Sequence, residues 1–259
     1  MPDPDLPLTT FASFAGDPSV RHGVTTRAGG VSTGPYSSLN LGASVGDAHD
    51  AVLENRARLA RSLGFEPSRL ITTPQVHGKG VLVVDEQTTA EVALMIRADI
   101  LVSRTPGFLL MQRFADCVSL VLWHKAAGVV GVAHAGWRGT AIGVAGRAVE
   151  AVAELGGDPS GLCAAIGPSI GPCCFEVGEE VAAQIPGADT ASTIGPNGRP
   201  HVDLWELNRR QFLAAGVPED QVEVAGACTR CQPETYFSHR ALGFPAGRFG
   251  AAIGLSADG

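Results

Sequence analysis

The sequence has no long apolar run. None reaches the roughly 18 residues that cross a bilayer, so no spanning helix is expected. It also lacks an excess of basic charge: 19 Lys and Arg face 26 Asp and Glu, a formal net charge of −7. Without a positive field, neither nucleic acid nor an anionic membrane is an expected partner. Any anionic ligand must then be held by a local cluster of donors. The opening residues, Met1-Pro-Asp-Pro-Asp5, are acidic and proline-rich where a secretory leader is basic and then apolar. The chain is therefore read as cytoplasmic. There is no Walker P-loop, no dinucleotide fingerprint after a first strand and no H-E-x-x-H. No His-x-His pair occurs among the seven histidines. No internal repeat or low-complexity linker divides residues 1–259, so a single domain is expected.

What is present is a folding composition. The hydrophobic fraction is 45%, and 259 residues suffice to bury a sizeable core. Residues 1–20 read as an irregular lead-in. Residues 22–47 are dense in Gly, Ser, Thr and Asn, carry Arg27, and read as turns and exposed loop. Val52, Arg56, Leu59 and Leu63 fall on related turns of a helix from His49 to Leu63, stopped by Gly64. Strands are predicted at 69–73, 81–84, 98–103, 107–114 and 117–123, with Pro106-Gly107 as a hairpin turn. The apolar run Val129–Ala133 predicts a buried strand. Three- and four-residue spacing predicts a helix from Ile142 to Leu155. Residues 161–167 form another predicted strand, and 176–185 hold a short helix. Residues 186–200 read as a surface loop. Asp203, with Glu206 three residues on, resembles the capping box of a helix that Gly216 ends. Residues 222–227 read as a final core strand. Strands and helices mix without strict βαβ alternation, which favours an α+β fold with mixed sheets.

The residues that carry chemistry gather in turns. His134-Ala-Gly-Trp-Arg-Gly-Thr140 joins a strand to a helix. Free N–H groups at the helix start, close approach at Gly136 and Gly139, and the Arg138 fork make it a candidate anion site. The plain alternative is that Trp137 packs and Arg138 is a surface charge. Asp116-Cys117 stands just ahead of an apolar strand, where a cysteine serves as thiolate ligand, nucleophile or small buried hydrophobe. A buried Asp116 needs a partner. His77 lies between two strands, flanked by Gln75 and Gly78. Together His77, Cys117 and His134 would form a His₂Cys set with one open position, suited to a catalytic zinc that acidifies its water. Copper suits the same ligand types. Long-range spacing alone does not select this trio. Cys228 and Cys231 make one C-x₂-C. Cys173 and Cys174 are adjacent and fit a second zinc pair poorly, so an inert buried pair is expected. With no export signal, the six cysteines are read as thiols or metal ligands, not disulfides.

TTRAGGVSTGPYSSLNLG, PQVHG, ADC, HAGWRGT, AIGPSIG, FEVGEEV, DLWELNRRQ and FSHR follow one another over nearly the whole chain. In this order they resemble the multicopper polyphenol oxidase, or laccase-domain, family, also called the YfiH/YlmD-type purine nucleoside phosphorylases. The resemblance implies α/β/β/α layers and a zinc held by His77, Cys117 and His134. It implies phosphorolysis of adenosine, inosine and methylthioadenosine, accompanied by adenosine deaminase activity. Cys117, His77 and Asp116 are then expected to be catalytic. Arg27, Arg56, Gln75 and Arg138 are expected to meet substrate or phosphate. Older family names imply copper-dependent phenol oxidation, against which the missing His-x-His pairs speak. Some relatives are described as peptidoglycan-editing factors, so a cell-wall-associated binding protein with little nucleoside turnover is a third expectation. Phe114 stands where the family has a small hydroxyl residue, Ser119 where it has proline, and His239 where it has tyrosine. These departures touch the pocket wall and leave the ligand set intact.

Overall fold

Period-two alternation along the apolar strands sorts their side chains into three separate cores. The computed structural model describes residues 6–257. Its strands are β1 (Leu8–Thr9), β2 (Val20–Thr25), β3 (Leu70–Ile71), β4 (Val81–Val84), β5 (Ile100–Ser103), β6 (Leu109–Phe114) and β7 (Val118–His124). There follow β8 (Val129–Ala135), β9 (Cys163–Ile166), β10 (Ser192–Ile194), β11 (Pro200–Val202), β12 (Val222–Val224) and β13 (Phe249–Leu255). The helices are α1 (His49–Ser62), α2 (Ala90–Ala93), α3 (Trp137–Ala141), α4 (Val144–Glu154), α5 (Glu179–Ala182), α6 (Leu204–Ala214) and α7 (His239–Leu242).

The two large sheets have the orders β1-β2-β13-β6-β3 and β12-β9-β7-β8-β5-β4, and β10-β11 forms a small third sheet. The two large sheets are mixed: β3 runs parallel to β6, β4 to β5 and β12 to β9, and their other neighbours are antiparallel. In β7, Val118, Leu120 and Leu122 face α4 and α6, while Val121 and Trp123 face the opposite sheet. In β6, Leu110 and Phe114 point between the sheets, while Leu109 and Met111 meet Leu59, Ala60 and Leu63 of the α1 region. A strand covered on both faces must be apolar on both. The result is the expected α/β/β/α stack of an α+β fold. No helix of the described residues is long and apolar enough to cross a membrane.

Several local expectations change. Residues 1–5 of the lead-in lie outside the described residues, but 6–20 include β1, paired with β2. The loop expected over 22–47 begins inside β2. Pro106-Gly107 does not make a hairpin, because β5 and β6 belong to different sheets. Gly107 has φ 83° and donates to Leu255 O at 2.8 Å, turning the chain from one layer to the next. The helix expected over 142–155 is α4, which starts after Gly143, φ 81°, and the short helix α3 before it was not expected. Residues 186–200 carry β10, which pairs with β11. β12 is a partly exposed edge strand, and the last core strand is β13, buried throughout. Its glycines dilute the apolar signal for a packing reason. A Cβ at Gly254 would lie 2.4 Å from Phe108 O and 2.5 Å from Phe65 Cζ.

Candidate metal centre

Strand register carries distant residues to one end of the six-stranded sheet. Val118 pairs with Ala135 and Ser119 with His134, so Cys117, just before β7, arrives beside the end of β8. Ile100 pairs with Ala133, and the His134 N–H donates to Asp99 O at 2.8 Å. The loop before β4 folds over this point. His77, Cys117 and His134 each present a ligand atom within 4.8 Å of the other two. The rings of His77 and His134 lie 4.8 Å apart between centroids. His134 is buried, Cys117 half-buried and His77 exposed, so the trio is closed beneath and open on one side. His77 at φ 58° and Asp116 at φ 92° hold left-handed backbone that side chains rarely adopt. Such strain concentrates at functional sites.

Asp99 organises the trio, a role that its place at the head of an apolar strand does not reveal. Its Oδ1 lies 2.8 Å from His134 Nδ1, and its carboxylate accepts the N–H groups of Val76, His77 and Gly78 at 2.9–3.0 Å. One buried carboxylate thus orients the ring of one ligand and the backbone of another. The bond to Nδ1 leaves His134 Nε2 for the site, the usual outer arrangement of a metal-ligating histidine. Burial pushes His134 down, but Cys117 and Asp99 outweigh it and lift the imidazole to about 9. Burial, with His134 and Arg138 nearby, lowers His77. A Cβ at Gly136 would stand 2.7 Å from His77 Nδ1 and 3.1 Å from Cys117 Sγ. The close approach predicted for Gly136 is therefore to these two side chains. Two imidazoles and one thiolate, with an outer carboxylate, fit zinc.

The other expected residues take varied places. Both oxygens of Asp116 are engaged, by Thr229 Oγ1 at 2.7 Å and the Arg240 N–H at 2.6 Å. Arg27 donates to Ser37 O and Pro233 O and lies over the Phe237 ring. Arg138 is exposed and lies over Trp137, 4.2 Å from the ring centroid. Gln75 clamps Arg113: its Oε1 accepts the Arg113 N–H and Nε–H, and its Nε2 donates to Arg113 O. Arg56 gives two bonds to Leu41 O. Phe114 packs on the His134 ring, centroids 5.6 Å apart, and Ser119 is fully buried behind it. His239 opens α7 and is exposed. Gly167-Pro-Ser169-Ile-Gly171 has the spacing of a serine-hydrolase elbow, but Ser169 is buried and bonded to Trp205 Nε1 and Gly167 O.

Two arginines join Arg56 unforeseen. Arg113 is pushed down to about 10 by burial and by the charges of Arg56 and Arg248. Arg56 is also pushed to about 10 by burial. Arg248 is lowered by burial, and Cys117 and Asp116 partly offset this. The three guanidiniums bond to carbonyl oxygens and Gln75. Among the described residues none of them forms an ion pair, so a half-buried cationic patch reaches Cys117 through Arg248.

The family described as multi-copper polyphenol oxidoreductase laccase matches residues 21–256. The chain belongs to this family. It is 40% identical over 253 residues to the purine nucleoside phosphorylase YlmD of Geobacillus stearothermophilus, covering 90% of this chain and 89% of that one. It is 38% identical over 223 residues to adenosine deaminase RL5 of an unknown prokaryotic organism, covering 82% and 85%. The crystal structure of YlmD from G. stearothermophilus superposes with a TM-score of 0.87 at 37% identity, covering 98% of this chain and all of that one. In this chain two stacked mixed sheets place His77, Cys117 and His134 at one sheet end.

Proposed function

We propose that the protein is a zinc-dependent purine nucleoside phosphorylase of the cytoplasm, acting on adenosine, inosine and methylthioadenosine, with adenosine deaminase activity. The observation that carries this reading is the half-open His77, Cys117 and His134 trio near three half-buried arginines that form no ion pair. The names of relatives alike over most of the chain agree with it. A zinc ion held by the three side chains would supply Lewis-acid chemistry for the hydrolytic exchange of the adenine amino group for oxygen, giving inosine and ammonia. Phosphorolysis exchanges the glycosidic bond for a bond from C1′ to phosphate, giving ribose 1-phosphate and free base. Its demands are a phosphate held in line and stabilisation of the charge on the departing base.

Arg56, Arg113 and Arg248 hold that phosphate, and Gln75 aims Arg113. Arg27 fixes the loop over 27–38, and Arg138 stands at the rim. Asp99 sets the tautomer of His134. Asp116 positions Cys117 by tying it to Thr229 and to the start of α7. Copper oxidation of phenols has less support. Several coppers need many gathered histidines, whereas among the described residues only His77 and His134 are brought together in a ligand cluster. Replacing Arg248 with alanine is expected to raise the KM for phosphate at least about tenfold, the loss of one charge-assisted contact. An unchanged phosphate KM would contradict the assignment.

A further inference from the structure

Four of the six cysteines lie outside the centre described above and meet at a second point. Cys173 and Cys174 stand in the turn that follows β9, where the N–H groups of Cys174 and Phe175 both bond to Gly171 O at 2.9 Å. Cys228 and Cys231 bracket the turn after β12. The two turns are stitched together by Ser169 N–H to Ala227 O at 3.1 Å and Thr229 N–H to Ser169 O at 3.0 Å. The expectation that adjacent cysteines make a poor ligand pair fails here. The turn at Gly171 carries both thiols to the same place.

All four Sγ atoms lie within 4.8 Å of one another. Cys231 Sγ is 3.7 Å from Cys173 Sγ and 3.4 Å from Cys174 Sγ, and all four are free thiols. Zinc–sulfur bonds of about 2.3 Å at tetrahedral angles place ligand sulfurs about 3.8 Å apart, close to these separations. The sulfurs also have outer donors. Gly171 N–H points to Cys228 Sγ at 3.3 Å and Arg230 Nη1 to Cys174 Sγ at 3.4 Å. Donors of this kind orient metal-bound ligands, and the guanidinium offsets the surplus negative charge of four thiolates around one dication. Plain hydrophobic packing accounts for Cys174 and Cys228, which are buried. It does not account for Cys173 and Cys231, which are exposed yet turned to the same point.

We infer that Cys173, Cys174, Cys228 and Cys231 hold a second zinc ion, in a closed structural site separate from the His77 centre. On binding, each thiol releases its proton to solvent and its sulfur forms one bond to the metal. With four protein ligands no position remains for substrate. The site fastens the 228–240 segment, from which Thr229 and the Arg240 N–H hold Asp116 beside Cys117.

The full-length protein, loaded with zinc under reducing conditions and freed of excess metal, is expected to contain two zinc ions per chain. Cys228→Ser with Cys231→Ser removes one, and His77→Ala removes the other. A cysteine double variant that keeps the full zinc content overturns the inference. Because that variant can fail to fold, the unaltered protein supplies a second readout. Peptide mapping after brief alkylation should find Cys173 and Cys231 protected until a strong chelator is added. Equal labelling with and without chelator overturns the inference, as does a disulfide between any two of the four in the zinc-loaded protein.

Discussion

Asp99 is the residue on which the centre turns. It is buried, and four donors from two separate segments converge on its carboxylate. Asp99→Asn keeps the shape, loses the charge and supplies an N–H where an acceptor is needed. Zinc affinity at the His77 centre should fall by about 10–100-fold, the usual effect of losing an outer partner. A competition titration with a chromophoric chelator measures this, and an unchanged affinity would remove Asp99 from its role. The family resemblance named His77, Cys117 and His134 through PQVHG, ADC and HAGWRG, and the fold brings these three together. Asp99 was not legible in the sequence, because an acid at the head of an apolar strand looks like a solvated edge. Only the pairing of β5 with β8 sets it behind His134. Arg113 and Arg248 were missed for a similar reason. They lie in β6 and just before β13, and the antiparallel pairing of those strands is long-range.

At the scale of elements, helices with local signals were read well. α1 runs from His49 to Ser62, within one residue of the prediction. α6 begins where Asp203 was expected to cap it: the Asp203 side chain accepts the Glu206 N–H at 3.0 Å. The box is half-formed, because the Glu206 carboxylate turns to Arg209 and Arg210 at 2.8 Å each. The Asp203 cap is therefore the half that matters, and Asp203→Ala should lower stability by about 1 kcal/mol. Glu206→Gln should cost less, since its ion pairs are near the surface. Denaturant midpoints of the two variants check this, and equal losses would contradict it. Elements whose signal is not local fared worse. β13 is rich in Gly and Ala because Phe65, Phe108 and Leu41 press on it, and its identity as a central strand depends on neighbours far away in sequence.

For the whole molecule, the α/β/β/α stack makes stability depend on groups buried at the edges of the layers. His22 in β2 lies against Phe11 and Phe14, and its Nε2 accepts the Phe11 N–H at 2.9 Å. Burial pushes it down to about 4, with Glu223 opposing in part. The fold therefore holds His22 neutral, while the unfolded chain takes up a proton below about 6.5. The contribution is complete above that pH and is lost as pH falls towards 4, by about 1–3 kcal/mol. His22→Gln should flatten this part of the pH dependence of unfolding. An identical slope in both proteins would mean that His22 is solvated in the fold.

Turnover of nucleosides at a metal-bearing His₂Cys centre can be measured outright. The most direct measurement takes the protein purified without added metal, determines its zinc and copper, and follows adenosine with phosphate by chromatography, alongside Cys117→Ala. The expected result is bound zinc, with adenine, ribose 1-phosphate and inosine formed by the unaltered protein and none by the variant. A zinc-replete protein that leaves adenosine and inosine untouched would contradict the proposed function, and Phe114 and Ser119 would be the first residues to exchange.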